Sequence, residues 1–119
     1  MRPLTRQEKN GVLVIVVDDV ARVNDSLSDE YRQEVYRAAQ EFPGGRVALD
    51  LGPVDFISSS GVTMLVGLQK RMLAAKGRLV LFHAQPYVRD VLHQMRIDKL
   101  FTFAADEPEA LGLLAPSPA

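Results

Sequence analysis

Three apolar runs of strand length, separated by stretches of helical periodicity, constrain this chain more than any other feature. Val12-Leu13-Val14-Ile15-Val16-Val17 is continuous and rich in β-branched residues, the pattern of a strand covered on both faces. Arg46-Val47-Ala48-Leu49-Asp50-Leu51 gives a shorter version. Arg78 to His83, with Leu79-Val80-Leu81-Phe82 as its apolar body, gives a third. Strands that alternate with helices form an α/β layer, because parallel neighbours need right-handed helical crossovers. Asn10-Gly11 joins the first run to an irregular edge strand over Pro3 to Glu8, and an Asn-Gly pair between extended segments is a strong hairpin signal. The expected fold class is therefore α/β: a single domain whose mixed, mostly parallel sheet of about four to five strands has helices packed against it.

The first helix is expected over Ser28 to Phe42, capped by Ser26 or Ser28, with Asp29 and Glu30 at its positive end. Tyr31, Val35, Ala38, Ala39 and Phe42 form its apolar face. Pro43-Gly44-Gly45 stops it. The second helix, Gly61 to Lys76, turns Val62, Leu65, Val66, Leu68, Met72 and Leu73 toward the sheet, with Thr63, Gln69, Lys70 and Arg71 outward. Lys76 suits its negative end and Gly77 a left-handed cap. Pro86 suits the first turn of a third helix, whose apolar face is Tyr87, Val88, Val91, Leu92 and Met95. Leu100 to Phe103 reads as a short extended piece and Asp106 to Leu114 as a last helix. Asp18 to Ser28 reads as a polar connection. The domain is expected over residues 1–114, with residues 115–119 as a disordered tail.

At 119 residues the chain has room for one core and too little for two. A net charge of −1 supplies no basic excess or stripe, so no direct nucleic-acid partner is expected. Cysteine is absent, which removes disulfides and thiolate metal sites. Met1 to Asn10 is polar and lacks the apolar stretch of a secretory leader, and the apolar runs are far short of a membrane span. A cytoplasmic chain without membrane insertion is the expectation. Asp18-Asp19, at a strand end, is read as a solvated loop in preference to a metal site. No metal or cofactor is expected.

Between the second run and the second helix stands Val54-Asp55-Phe56-Ile57-Ser58-Ser59-Ser60-Gly61-Val62. A serine is favoured at a helix start because its oxygen accepts from an unpaired backbone N–H. The same N–H groups and the helix dipole favour an added anion. A hydrolase needs a base for the serine and a group to orient that base. Of the two histidines, His83 ends a strand on the same sheet edge as the serines, yet no Gly-x-Ser-x-Gly elbow surrounds Ser59. No Gly-rich run ends in Gly-Lys-Ser/Thr, and Gly44-Gly45 is a helix stop. No catalytic residue is assigned, and an enzyme is not expected.

Asp55 to Val62, with Leu65 one turn on, resembles the phosphorylation loop of STAS domains, the anti-sigma factor antagonist family. The resemblance continues through Gly77-Arg78-Leu79-Val80-Leu81 and Val88-Arg89-Asp90-Val91-Leu92 to Ile97-Asp98-Lys99-Leu100-Phe101, and so covers most of the chain. In the family pattern the phosphoacceptor stands two positions before the Gly, which maps to Ser59. The acidic residue that usually precedes it maps to Ser58, where this chain departs from the pattern. The resemblance implies a partner-switching protein. Its unmodified form binds an anti-sigma factor that is also a serine kinase, and a sigma factor is released. Phosphorylation of Ser59 ends that binding, and a serine phosphatase restores it. The implied partner surface is Asp55, Ser58, Ser59, Ser60, Gly61, Thr63 and Met64, beside the Asp18–Ser28 connection. In it Ser60 is the cap neighbour, Gly61 allows close approach of the partner, and Asp55 shapes the loop. Met64 is counted there, with gap-filling in the core as its alternative. Phosphate adds close to two negative charges where backbone amides can hold them, which makes a switch of binding and not of folding. A second reading within the family is a fixed, non-phosphorylated adaptor, such as a subunit of a lipid-transport ATPase or of a stress-signalling assembly. A homodimer is left open.

Overall fold

Five strands follow one another across the sheet in chain order, β1 (Thr5–Lys9), β2 (Val12–Val16), β3 (Arg46–Asp50), β4 (Arg78–Phe82) and β5 (Thr102–Ala104). The computed structural model describes residues 4–27 and 29–115. The β1–β2 pair is antiparallel and the other pairs are parallel. Asn10 and Gly11 turn the hairpin with φ of 53° and 77°, the left-handed pair that a two-residue type I′ loop requires.

Because no strand is skipped, each right-handed crossover returns to the same side of the sheet. The helices α2 (Glu30–Glu41), α3 (Ser59–Ala74) and α4 (Pro86–Gln94) accordingly share one face. The register aligns Leu13, Val47 and Leu79, then Ile15, Leu49 and Leu81, and these residues point into that larger core. The alternate residues Val14, Ala48 and Val80 point the other way. With Val12, Phe82 and Ala104 they meet α5 (Glu107–Leu114) through Ala110 and Leu114. Both faces of β2, β3 and β4 are thus covered, which is why their sequences read as apolar runs without alternation.

Several local expectations are corrected. The Asp18–Ser28 connection contains a one-turn helix, α1 (Val20–Val23), capped by Asp19 Oδ1 accepting from Arg22 N–H at 3.2 Å. So short an element leaves no periodicity to read. The cap position of α2 is Asp29 and not Ser26; its carboxylate binds Arg32 at 2.9 Å and Gln33 at 3.0 Å instead of a backbone N–H. The proposed cap Ser28 and residues 116–119 of the expected tail lie outside the described residues. On α3, Leu73 is exposed and Gln69 is buried, its Nε2 donating to Leu100 O at 2.7 Å. A helix face is chosen by its neighbours, and here a carbonyl at the end of the 3-10 turn Asp98–Leu100 needs a donor. On α4, Tyr87 and Met95 are about half exposed. At the end of α3 it is Lys76, with φ of 60°, that adopts the left-handed conformation. Lys76 N–H donates to Leu73 O and Gly77 N–H to Met72 O, at 3.1 and 2.7 Å, which is a Schellman closure. Gly77 is needed for room: a Cβ there would stand 2.8 Å from Gly45 O.

Candidate functional site

The loop from β3 to α3 leaves the carboxyl ends of the parallel strands, the edge where open α/β sheets place their ligands. Leu51, Val54 and Ile57 are buried, so the loop is pinned by an apolar side chain at every third position. Its first turn closes with Val54 N–H donating to Leu51 O at 2.9 Å. Asp50 Oδ1 accepts from Gly52 N–H at 2.8 Å and contacts His83 Nδ1 at 3.1 Å. Gln85 Nε2 donates to Gly52 O at 2.6 Å. His83, the histidine on the serines' edge, therefore ties two strand ends together. Asp55, expected to shape the loop, is exposed with no hydrogen-bond partner among the described residues; Asp50 does that work because it stands at the strand end where the chain turns.

The serines occupy three different positions. Ser58 is the N-cap of α3, in extended conformation, and its Oγ accepts from Gly61 N–H at 3.4 Å. Its hydroxyl donates to Asn24 O at 3.2 Å, and its own N–H donates to Asn24 Oδ1 at 2.7 Å. Asn24 Nδ2 in turn donates to Phe56 O at 2.9 Å. Ser59 is the first helical residue and is exposed; its hydroxyl has no partner among the described residues. Ser60 is half-buried. Thr63 is exposed on the next turn, with Oγ1 donating to Ser59 O at 2.8 Å.

Two of the expected surface residues are inside. Met64 is 2% exposed and belongs to the main core; at helical spacing from Leu68 and Met72 it shares their apolar stripe. Gly61 is buried as well, and the close approach it permits is made by this chain. A Cβ there would stand 2.6 Å from Ile57 Cγ1 and 2.7 Å from Asn24 Oδ1. In the place of Met64 the surface has Phe56 and Tyr87, each about half exposed and stacked with centroids 5.7 Å apart.

The segment carrying Asn24 is itself braced. Arg22 pairs with Asp19 at 3.5 Å and Glu34 at 3.2 Å, and its guanidinium lies 5.0 Å from the Tyr31 ring centroid. Burial, followed by the negative charges of Asp18 and Asp19, pushes the Tyr31 phenol up to about 12. It stays neutral throughout the physiological range. Among the described residues no group of three His, Asp or Glu is placed to hold a metal ion, and no helix is long and apolar enough to cross a membrane.

A model of the STAS domain matches residues 4–110. The chain belongs to the STAS domain family. This STAS domain is 36% identical over 89 residues to BtrV of Bordetella bronchiseptica, which is named as a candidate anti-sigma factor antagonist; the match covers 74% of this chain and 73% of that protein. A STAS domain protein of Planctomyces limnophilus, titled an anti-sigma-factor antagonist, superposes with a TM-score of 0.81 at 26% identity, covering 97% of this chain and all of that one. SpoIIAA, a Bacillus cell fate determinant solved in its phosphorylated form, shares the fold at 21% identity with a TM-score of 0.64, over 92% of this chain and 97% of that one.

Proposed function

We propose that this STAS domain is an anti-sigma factor antagonist whose binding is switched by phosphorylation of Ser59. The observation that carries the reading is the division of labour at the α3 start: Ser58 is spent on the cap, whereas the Ser59 hydroxyl is exposed at the first helical position without a partner among the described residues. The name of BtrV and the phosphorylated state of SpoIIAA support it. The partner is an anti-sigma factor that is also a serine kinase, and a serine phosphatase resets the switch. The docking surface is Asp55, Phe56, Ser59, Ser60 and Thr63, with Tyr87 beside them. A phosphate on Ser59 meets the N–H groups of the first turn, which favour an anion, so the core is left alone. A partner seated over that turn must then desolvate nearly two added charges.

The test is capture of partners from native cells by wild-type, Ser59→Ala and Ser59→Asp chains, with intact-mass measurement of the wild type. The expected result is a phosphate adduct on the serine peptide, retention of a kinase-type anti-sigma factor by Ser59→Ala, and at least about tenfold weaker retention by Ser59→Asp, or about 1.4 kcal/mol. Equal capture by all three, with no adduct, sinks the switch and leaves the adaptor reading.

A further inference from the structure

We propose that Asn24 is a positioning residue for this switch: it commits Ser58 to the helix cap and so determines that Ser59 is the hydroxyl a kinase meets. The inference rests on the Ser59 reading above and adds the residue that discriminates between Ser58 and Ser59.

A side-chain amide carries donor and acceptor on one rigid plane. Asn24 uses both along one stretch of chain, accepting from Ser58 N–H at 2.7 Å and donating to Phe56 O at 2.9 Å. It thereby imitates a neighbouring strand, and it fixes the residues on either side of Ile57. A carboxylate of the same size lacks the donor and would face the Phe56 carbonyl with like charge. The Asn24 backbone adds a further hold, its carbonyl accepting the Ser58 hydroxyl at 3.2 Å. Position 24 is itself fixed: it ends α1, behind buried Val23, and α1 is held by the Asp19 cap and the Arg22–Glu34 pair.

The consequence is chemical. In phosphoryl transfer a serine oxygen bonds to the γ-phosphorus of a nucleoside triphosphate held by the kinase. The bond from that phosphorus to the leaving diphosphate breaks, and the hydroxyl proton passes to a base of the kinase. Ser58 is poorly placed for this, since its proton is directed at Asn24 O and a lone pair receives Gly61 N–H. Ser59 has neither commitment among the described residues. The clamp also crowds Gly61, where a Cβ would collide with Asn24 Oδ1 as well as with Ile57.

The test maps phosphosites by tandem mass spectrometry on wild-type, Asn24→Ala and Asn24→Asp chains produced in the native cell. Amide hydrogen exchange is measured on the same purified chains. In the wild type, phosphate is expected on Ser59 alone. In Asn24→Ala, Ser58 is expected to share the phosphate or Ser59 occupancy to fall about fivefold. The Ser58 amide should exchange about tenfold faster while β3 amides keep their protection. Asn24→Asp, which keeps an acceptor for Ser58 N–H, should fall between and serves where the alanine variant does not fold. Unchanged phosphosites in both variants overturn the selection, whatever the exchange rates show. A wild-type chain without phosphate on any serine, but with the expected change in Ser58 exchange, overturns the Ser59 reading and leaves Asn24 as a loop clamp only.

Discussion

Ser58 Oγ holds Gly61 N–H and Asn24 O, whereas Ser59 Oγ, one residue on, is exposed and without a partner among the described residues. Truncation should separate them. Ser58→Ala removes an N-cap and is expected to cost about 1 kcal/mol. Ser59→Ala removes an exposed hydroxyl and should change stability by less than about 0.5 kcal/mol. Urea unfolding of both variants at unchanged m-value measures the difference, and equal midpoints would contradict the assignment of Ser58 as the cap. That hydroxyls crowd a helix start is visible in the sequence. Which of them caps is not, because the answer depends on Asn24, 34 residues earlier. Lys76 and Gly77 teach the same lesson: the glycine was legible as a helix stop, but the left-handed residue is the lysine, and the glycine is held by the approach of Gly45. Met64 was open to two readings, since a residue at the start of a helix faces core or solvent according to where the sheet lies.

The α2–α3 contact depends on a glycine that the pattern of apolar residues does not explain. Gly67 lies in the middle of α3, where glycine costs about 1 kcal/mol relative to alanine in an isolated helix. A Cβ there would stand 2.3 Å from Tyr36 Oη and 3.0 Å from Cζ. Tyr36 is buried, its hydroxyl donates to Met64 O at 3.1 Å, and the Arg71 guanidinium stacks 4.0 Å from its ring centroid. The ring has nowhere cheap to go. Gly67→Ala is therefore expected to destabilise by about 1–2 kcal/mol, the overpacking cost outweighing the gain in propensity. In a Tyr36→Phe background, where the displaced hydroxyl is already gone, the added methyl should cost less than half as much; a double-mutant cycle in urea reads the coupling. If Gly67→Ala raises stability as propensity alone demands, the close approach is not a constraint. The apolar stripe of α3 was legible because it follows helical spacing. Gln69 and Leu73 were misplaced because the stripe's edges are set by distant neighbours: the 3-10 turn brings the Leu100 carbonyl to Gln69, and Leu73 is left exposed. The helix α1 was missed because one turn has no period.

Over the whole molecule, a mixed, mostly parallel sheet with an opening hairpin was legible from alternating runs, the order of its strands came from the pairing, and the side of each crossover follows from its handedness. The role of α5 was less open to reading. Asp106 to Leu114 announces a helix, but only the register shows that Val14, Ala48, Val80 and Phe82 need it as their cover. This layout puts stability and switching in different places. The serine junction lies at the strand ends on the side of α3, and α5 closes the opposite face. Leu114 is fully buried there, and Leu114→Ala is expected to cost about 2–5 kcal/mol. A domain of this size has about 5–15 kcal/mol to lose, so the variant should melt early yet remain folded when cool. Partner capture by the folded variant should match wild type. Ser59→Asp should do the reverse: a carboxylate at the α3 start adds about 0.3–1 kcal/mol or nothing to stability, while capture is lost. Thermal melts by circular dichroism, paired with capture assays well below each midpoint, place both variants on the two axes. Loss of capture by a Leu114→Ala chain that is still folded would show that the two faces are coupled. A midpoint for Ser59→Asp several degrees below wild type would show that charge at this turn disturbs the fold as well as the surface.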